Sequence, residues 1–181
     1  MKIARELRDT NIAEYLLYMW QLEDTLRAYG GDADRVKEEY VSRFSDDADE
    51  RDREAMWLEN LCTMMREEGV IEQGHLQMNK GTLSLMTDLH LELLQSPKQP
   101  FYSAAYYKAL PFIVELRARS GHKEAPELET CFEALYGVML LRLQKKEISP
   151  DTQHAVKEIT TFLGMLSDYY KKDKDEGLQF D

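Results

Sequence analysis

Apolar residues recur along this chain three and four positions apart, the spacing of a helix face rather than the alternation of a strand. In two stretches they crowd almost every face of the predicted helix. One covers residues 12–20 and holds Ile12, Tyr15, Leu16, Leu17, Met19 and Trp20. The other covers residues 102–114 and holds Tyr102, Tyr106, Tyr107, Leu110, Phe112, Ile113 and Val114. A helix that is apolar on most sides has to be packed round by other helices. These two segments are therefore predicted to be central.

The remaining pattern adds amphipathic partners. The spacing predicts helices over 11–29, with a helical lead-in before it, and over 34–44. A third starts at 47 or 49 and runs to 68. A fourth starts between 76 and 82 and ends before Pro97. Three more cover 102–119, 126–145 and 150–172. Asn11 and Asp32 are suited to capping helix starts, while Gly30, Gly31 and Gly69 supply left-handed stops. Inward stripes read Val36, Tyr40, Phe44; then Trp57, Leu58, Leu61, Met64, Met65; then Leu83, Met86, His90, Leu93, Leu94. The last two helices add Leu128, Phe132, Leu135, Met139, Leu143 and Val156, Ile159, Leu163, Leu166, Tyr170. Pro111 sits inside the fifth helix and predicts a kink. Pro126 fits a first helical position. No segment reads as a strand and no repeat has a fixed period. The expected fold is an all-α, single-domain bundle of about seven helices over residues 1–172, with a polar C-terminal tail over 173–181 that frays.

Composition narrows the class of function. A net charge of −11 repels phosphate backbones, so nucleic acid is not an expected partner. The longest apolar run, from Tyr15 to Trp20, is far short of the ~20 residues that span a bilayer. The charged N-terminus lacks the apolar core of a signal peptide. The expected location is the cytoplasm, with no membrane partner. Cys62 and Cys131 each lie within a helical pattern and read as buried apolar residues, not as a disulfide framework.

Catalytic vocabulary is sparse. There is no nucleophile elbow, phosphate loop or dinucleotide fingerprint. The acidic run 46–54 lacks the glycine and the ligand spacing of a calcium loop, and it reads as a helix start whose carboxylates favour the positive end of the macrodipole. A carboxylate-bundle metal site would need inward Glu and Glu-x-x-His pairs. Glu72 with His75 has that spelling, Asp151 with His154 is a looser version, and His154 also lies four residues before Glu158. Glu14 and Glu23 are acids embedded in the first apolar helix, but no partner for either is evident. No metal and no cofactor is expected. Arg117 and His122 spell Arg-x4-His, which is similar to the motif of a class of helical endoribonucleases. The helix-ending Ser120–Gly121 and the acidic charge oppose that use.

His90 shares its stripe with leucines and a methionine, so it is expected to face the interior or a cleft. Phe101, Tyr102, Tyr106 and Tyr107 crowd the start of the fifth helix, and Tyr15, Tyr18 and Trp20 crowd the first. His90, Tyr106, Tyr107 and Trp20 are the candidate pocket residues.

The opening residues from Ile3 to Leu7, residues 11–21, and the later Gly74, His75 and Leu76 resemble a bacterial family classed as a domain of unknown function, found largely in the Bacteroidetes. The resemblance covers the full chain and implies one helical domain. It implies no activity and no site residues. The leading expectation is a non-enzymatic protein that works through a protein partner or self-association, with surplus aromatics in an exposed patch. The alternative is a small-molecule-binding protein or enzyme with a cleft near His90 and the tyrosines, and more remotely a metal-dependent bundle enzyme.

Overall fold

A computed structural model describes residues 2–43, 47–120, 125–178 and 180. Among the described residues the fold is all-α, with no strand. The α-helices are α1 (Lys2–Thr10), α2 (Ile12–Ala28), α3 (Ala33–Arg35), α4 (Ala48–Glu67), α5 (Gln77–Gln95), α6 (Pro100–Ser120), α7 (Glu127–Leu143) and α8 (Pro150–Glu176). The chain's contacts gather into two units, one formed by Met1–Thr10 with Glu14–Thr82 and the other by Asn11–Ala13 with Leu83–Asp181.

In the first unit the buried side chains come from α2 (Met19, Trp20, Leu22, Leu26), from α4 (Leu58, Leu61, Cys62, Met65), and from Val36, Val41 and Leu76. Asp47 caps α4 by accepting from the Asp49 and Glu50 amides, and Asp32 caps α3 in the same way. The spacing Val36, Tyr40, Phe44 predicts a regular helix there, yet α3 gives way to a π-helical turn over Val36–Tyr40 and a 3₁₀ turn over Val41–Arg43. The wider π turn turns Val36 and Val41 inward together, both almost fully buried, and leaves Tyr40 partly exposed. Phe44 lies outside the described residues. Gly31 has a positive φ, and a Cβ there would come within 2.6 Å of the Ile71 side chain. Only glycine fits that close approach without displacing Ile71.

In the second unit α6 packs most extensively against α8, with α7 against both. Its core holds Met86, Leu93, Tyr102, Ile113, Phe132, Ile159, Phe162 and Leu166. Ser167 of α8 ties down residues 11–13. Its hydroxyl donates to Asn11 Oδ1 at 2.7 Å and accepts from the Ala13 amide at 3.2 Å. An orphan donor at the start of α2 is thereby satisfied from a distant helix.

Three boundaries differ from the pattern-based expectation. The lead-in is a separate helix, α1. Pro126 is the residue before α7 rather than its first turn. α8 continues four residues past 172 to Glu176 and stops at Gly177, which has φ 73°. A Lys171–Asp175 ion pair one turn apart supports that last stretch.

Candidate functional site

α6 is the element with the most to explain. Its apolar residues predict burial on all sides, but only one face is buried. Tyr102, Tyr106, Ala109 and Ile113 form the inward stripe. The Tyr102 hydroxyl lies 2.6 Å from His90 Nδ1. Burial raises the phenol's pKa, so Tyr102 stays protonated and donates to Nδ1. That places the proton of the neutral imidazole on Nε2, which faces the Glu127 carboxylate at 4.0 Å. Tyr106 donates to the same carboxylate at 2.7 Å. Phe162 meets the His90 ring edge-on, at a centroid distance of 5.4 Å. Burial holds His90 below the ordinary histidine range, while the nearby Glu127 pulls the other way. His90 is 3% exposed. It is a buried histidine, bonded through Nδ1 to Tyr102 and with Nε2 turned towards Glu127.

The outward face of α6 is a continuous exposed stripe of Phe101, Ala104, Tyr107, Lys108, Pro111, Val114, Glu115, Ala118 and Arg119. Phe101 is 80% exposed, Tyr107 64% and Val114 55%. Tyr107 and Val114 share a line at i, i+7, with Phe101 at the flank, and such exposure of large apolar side chains is not what solvation alone selects. Glu115 and Arg119 pair at 2.5 Å along one edge. Pro111 carries no N–H, so the Tyr107 carbonyl one turn earlier lacks its usual helical donor.

A cleft of about 760 Å³ opens among α6, α7 and α8. Its apolar floor includes Phe112, Leu116, Leu141 and Ile159, and His154 meets the Phe112 ring edge-on at 5.2 Å. Gly137 lines it, and a Cβ there would meet nothing within 4 Å.

The first unit contains a second buried polar cluster. Glu23, 1% exposed, accepts from His75 Nδ1 at 2.6 Å through one carboxylate oxygen. Its other oxygen accepts from the Leu76 amide at 2.9 Å and from Asn79 Nδ2 at 2.7 Å. Trp20 stacks on the His75 ring, with centroids 4.1 Å apart and planes 13° apart. Arg27 reaches the Val70 carbonyl at 3.2 Å and also donates to Gly74, holding the segment that delivers His75. Glu23 thus caps the start of α5 from another helix.

Of the sequence candidates, His90 and Tyr106 meet in one cluster, Tyr107 tilts against Tyr106 from the exposed side at 5.2 Å, and Trp20 belongs with His75 in the first unit. Among the described residues no three His, Cys, Asp or Glu side chains are placed to hold a metal ion. Glu23 and His75 bond to each other directly. His154 lies against Phe112, and His122 lies outside the described residues. The Tyr102 hydroxyl is bonded to His90. Both cysteines are buried and free, and burial pushes the Cys131 thiol up to about 12. No helix among the described residues is long and apolar enough to cross a membrane. Sequence reading missed Glu127, Phe162 and the pairing of Glu23 with His75, because each partner comes from a different helix.

Two tests address the buried clusters. Glu23→Ala leaves three donors without their acceptor and should lower unfolding stability by about 3 kcal/mol. Glu23→Gln should cost about 1 kcal/mol, since His75 can change tautomer and accept from the new amide. Urea denaturation distinguishes the two, and equal costs would contradict the assigned bonds. Because His90 titrates lower in the fold than in the unfolded chain, the unfolded chain takes up that proton first as pH falls. Its contribution is complete above about pH 6.5 and is lost below it, by up to about 1.4 kcal/mol per pH unit. Denaturation at pH 7.5, 6.5 and 5.5 should show a steeper loss for the native chain than for His90→Gln. Parallel losses would show that His90 plays no part.

The family model described as a domain of unknown function (DUF4924) matches residues 1–177, and the chain belongs to that family. No curated protein and no solved structure matches it.

Proposed function

We propose that this member of the domain-of-unknown-function family is a non-catalytic protein-contact module, with the outward stripe of α6 as its docking face. The observation that carries this reading is the exposure of Tyr107 and Val114 one above the other, seven residues apart, with Phe101 exposed at the flank of the stripe, on a helix whose opposite face is packed. Each removes apolar surface from water when covered, worth about 25 cal/mol per Å². Aromatic anchors are the usual centres of protein interfaces. The polar residues among them, Lys108, Glu115 and Arg119, give a docking partner both charge signs to match.

A second reading is favoured by the cleft among α6, α7 and α8. At about 760 Å³ it falls in the size range of small-molecule pockets, with an apolar floor and polar groups at its edge. In this reading the small molecule would lie against Phe112 and His154, which line the cleft, and not against the buried His90.

A photoreactive phenylalanine analogue in place of Tyr107, activated in the producing cells, should cross-link to a polypeptide. A position on the solvent side of α4, such as Met56, serves as control. If position 107 cross-links no more than position 56, the docking reading is wrong. For the cleft, Gly137→Leu should fill the space while slightly favouring the helix. Native mass spectrometry should then show a bound small molecule on the native chain and none on the variant, and a bare mass for both would remove the second reading.

A further inference from the structure

We infer that the occupant of the α6 stripe is a second copy of this chain, packed antiparallel about a two-fold axis close to Pro111. This rests on the reading of the stripe as a docking face and names its partner. A two-fold contact requires a surface complementary to itself. In an antiparallel helix pair, a residue on one side of the contact line faces a residue on that same side of the partner, at the mirrored distance along the axis. Lys108 and Glu115 meet that condition. Both are exposed, they lie on the same side of the line through Pro111 and Ala118, and they are about 10 Å apart along the axis with the midpoint beside Pro111. Two-fold pairing therefore sets each Lys108 opposite the partner's Glu115, twice per dimer.

The apolar positions follow the same symmetry. Tyr107 lies on the other side of the line and reaches the gap between Val114 and Ala118 of the opposing helix. Ala104 and Ala118, both small, allow close approach near the two ends. Without this local balance, a chain of net charge −11 would be a poor partner for itself. The stripe carries Lys108 and Arg119 against Glu115 alone, so the face that would come together is not acidic.

Sedimentation velocity on the full chain, from about 5 to 200 µM, tests the inference. The native chain should show a reversible dimer. Lys108→Glu and Glu115→Lys should each weaken it by about tenfold or more, since each variant places two like-charge pairs in the contact. The double swap Lys108→Glu with Glu115→Lys should return the dissociation constant to within about threefold of the native value. Far-ultraviolet circular dichroism confirms that the helices persist in all three. A monomer at every concentration, a dimer indifferent to the single changes, or a double swap as weak as the singles would each overturn the pairing. Cross-linking from position 107 to another polypeptide, with a monomer in the centrifuge, would overturn the second copy but leave the docking face in place. No cross-link at all removes both.

Discussion

A polar group taken out of water must find a partner, and that constraint organises both units. In the first, the Glu23 carboxylate is buried and tolerable because three N–H donors converge on it. In the second, His90 stays neutral and is held by a tyrosine that donates to it, while Tyr106 finds Glu127 at the edge of the core. Ser167 serves the start of α2 in the same way. Apolar burial supplies most of the driving force, but many apolar arrangements would supply it equally. The directional bonds select among them. They fix the rotation of α6 relative to α5, which brings Tyr102 onto His90 and leaves Tyr107 outside.

That rotation links packing to the proposed role. A helix as apolar as α6 could hide all its faces only with neighbours on every side. α7 and α8 cover it, yet Phe101, Tyr107 and Val114 remain in water. The two tyrosines that look alike in the sequence, Tyr106 and Tyr107, are separated by a single helical step into a buried, hydrogen-bonded residue and an exposed one.

How far the sequence discloses this depends on the range of the interaction. Helix existence, most stripes and the caps at Asp32 and Asp47 are local properties, and residues within a few positions of one another suffice to read them. The family too is legible from short segments near the start and at Gly74, His75 and Leu76. The π turn escapes because Val36 and Val41 share a face only if the helix widens, a choice made by the core around them. The burial of His90 follows from its stripe, but Tyr102 as its partner and Glu127 as its neighbour require the placement of two more helices. Glu23 is conspicuous as an acid in an apolar helix, and His75 as the end of the Glu-x-x-His spelling that begins at Glu72. Their direct bond becomes visible only when α2 lies beside the start of α5. The exposed face of α6 is the clearest reversal, because hydrophobicity reports what a side chain would gain from cover and not whether this chain supplies it.

The cap on α5 also has a temporal side. Helix starts ordinarily close with a side chain one to three residues away, so they can form and fray by themselves. Here the acceptor for the Leu76 amide sits 53 positions earlier in the chain. Closing so long a segment carries an entropic cost that must be met before the bond gives any return. The beginning of α5 is therefore tied to the assembly of the first unit, and its amide is released to exchange when that unit opens, not when a helix end breathes. The Glu23 carboxylate thus turns the Leu76 amide, at what is usually the loosest point of a helix, into a reporter of cooperative unfolding.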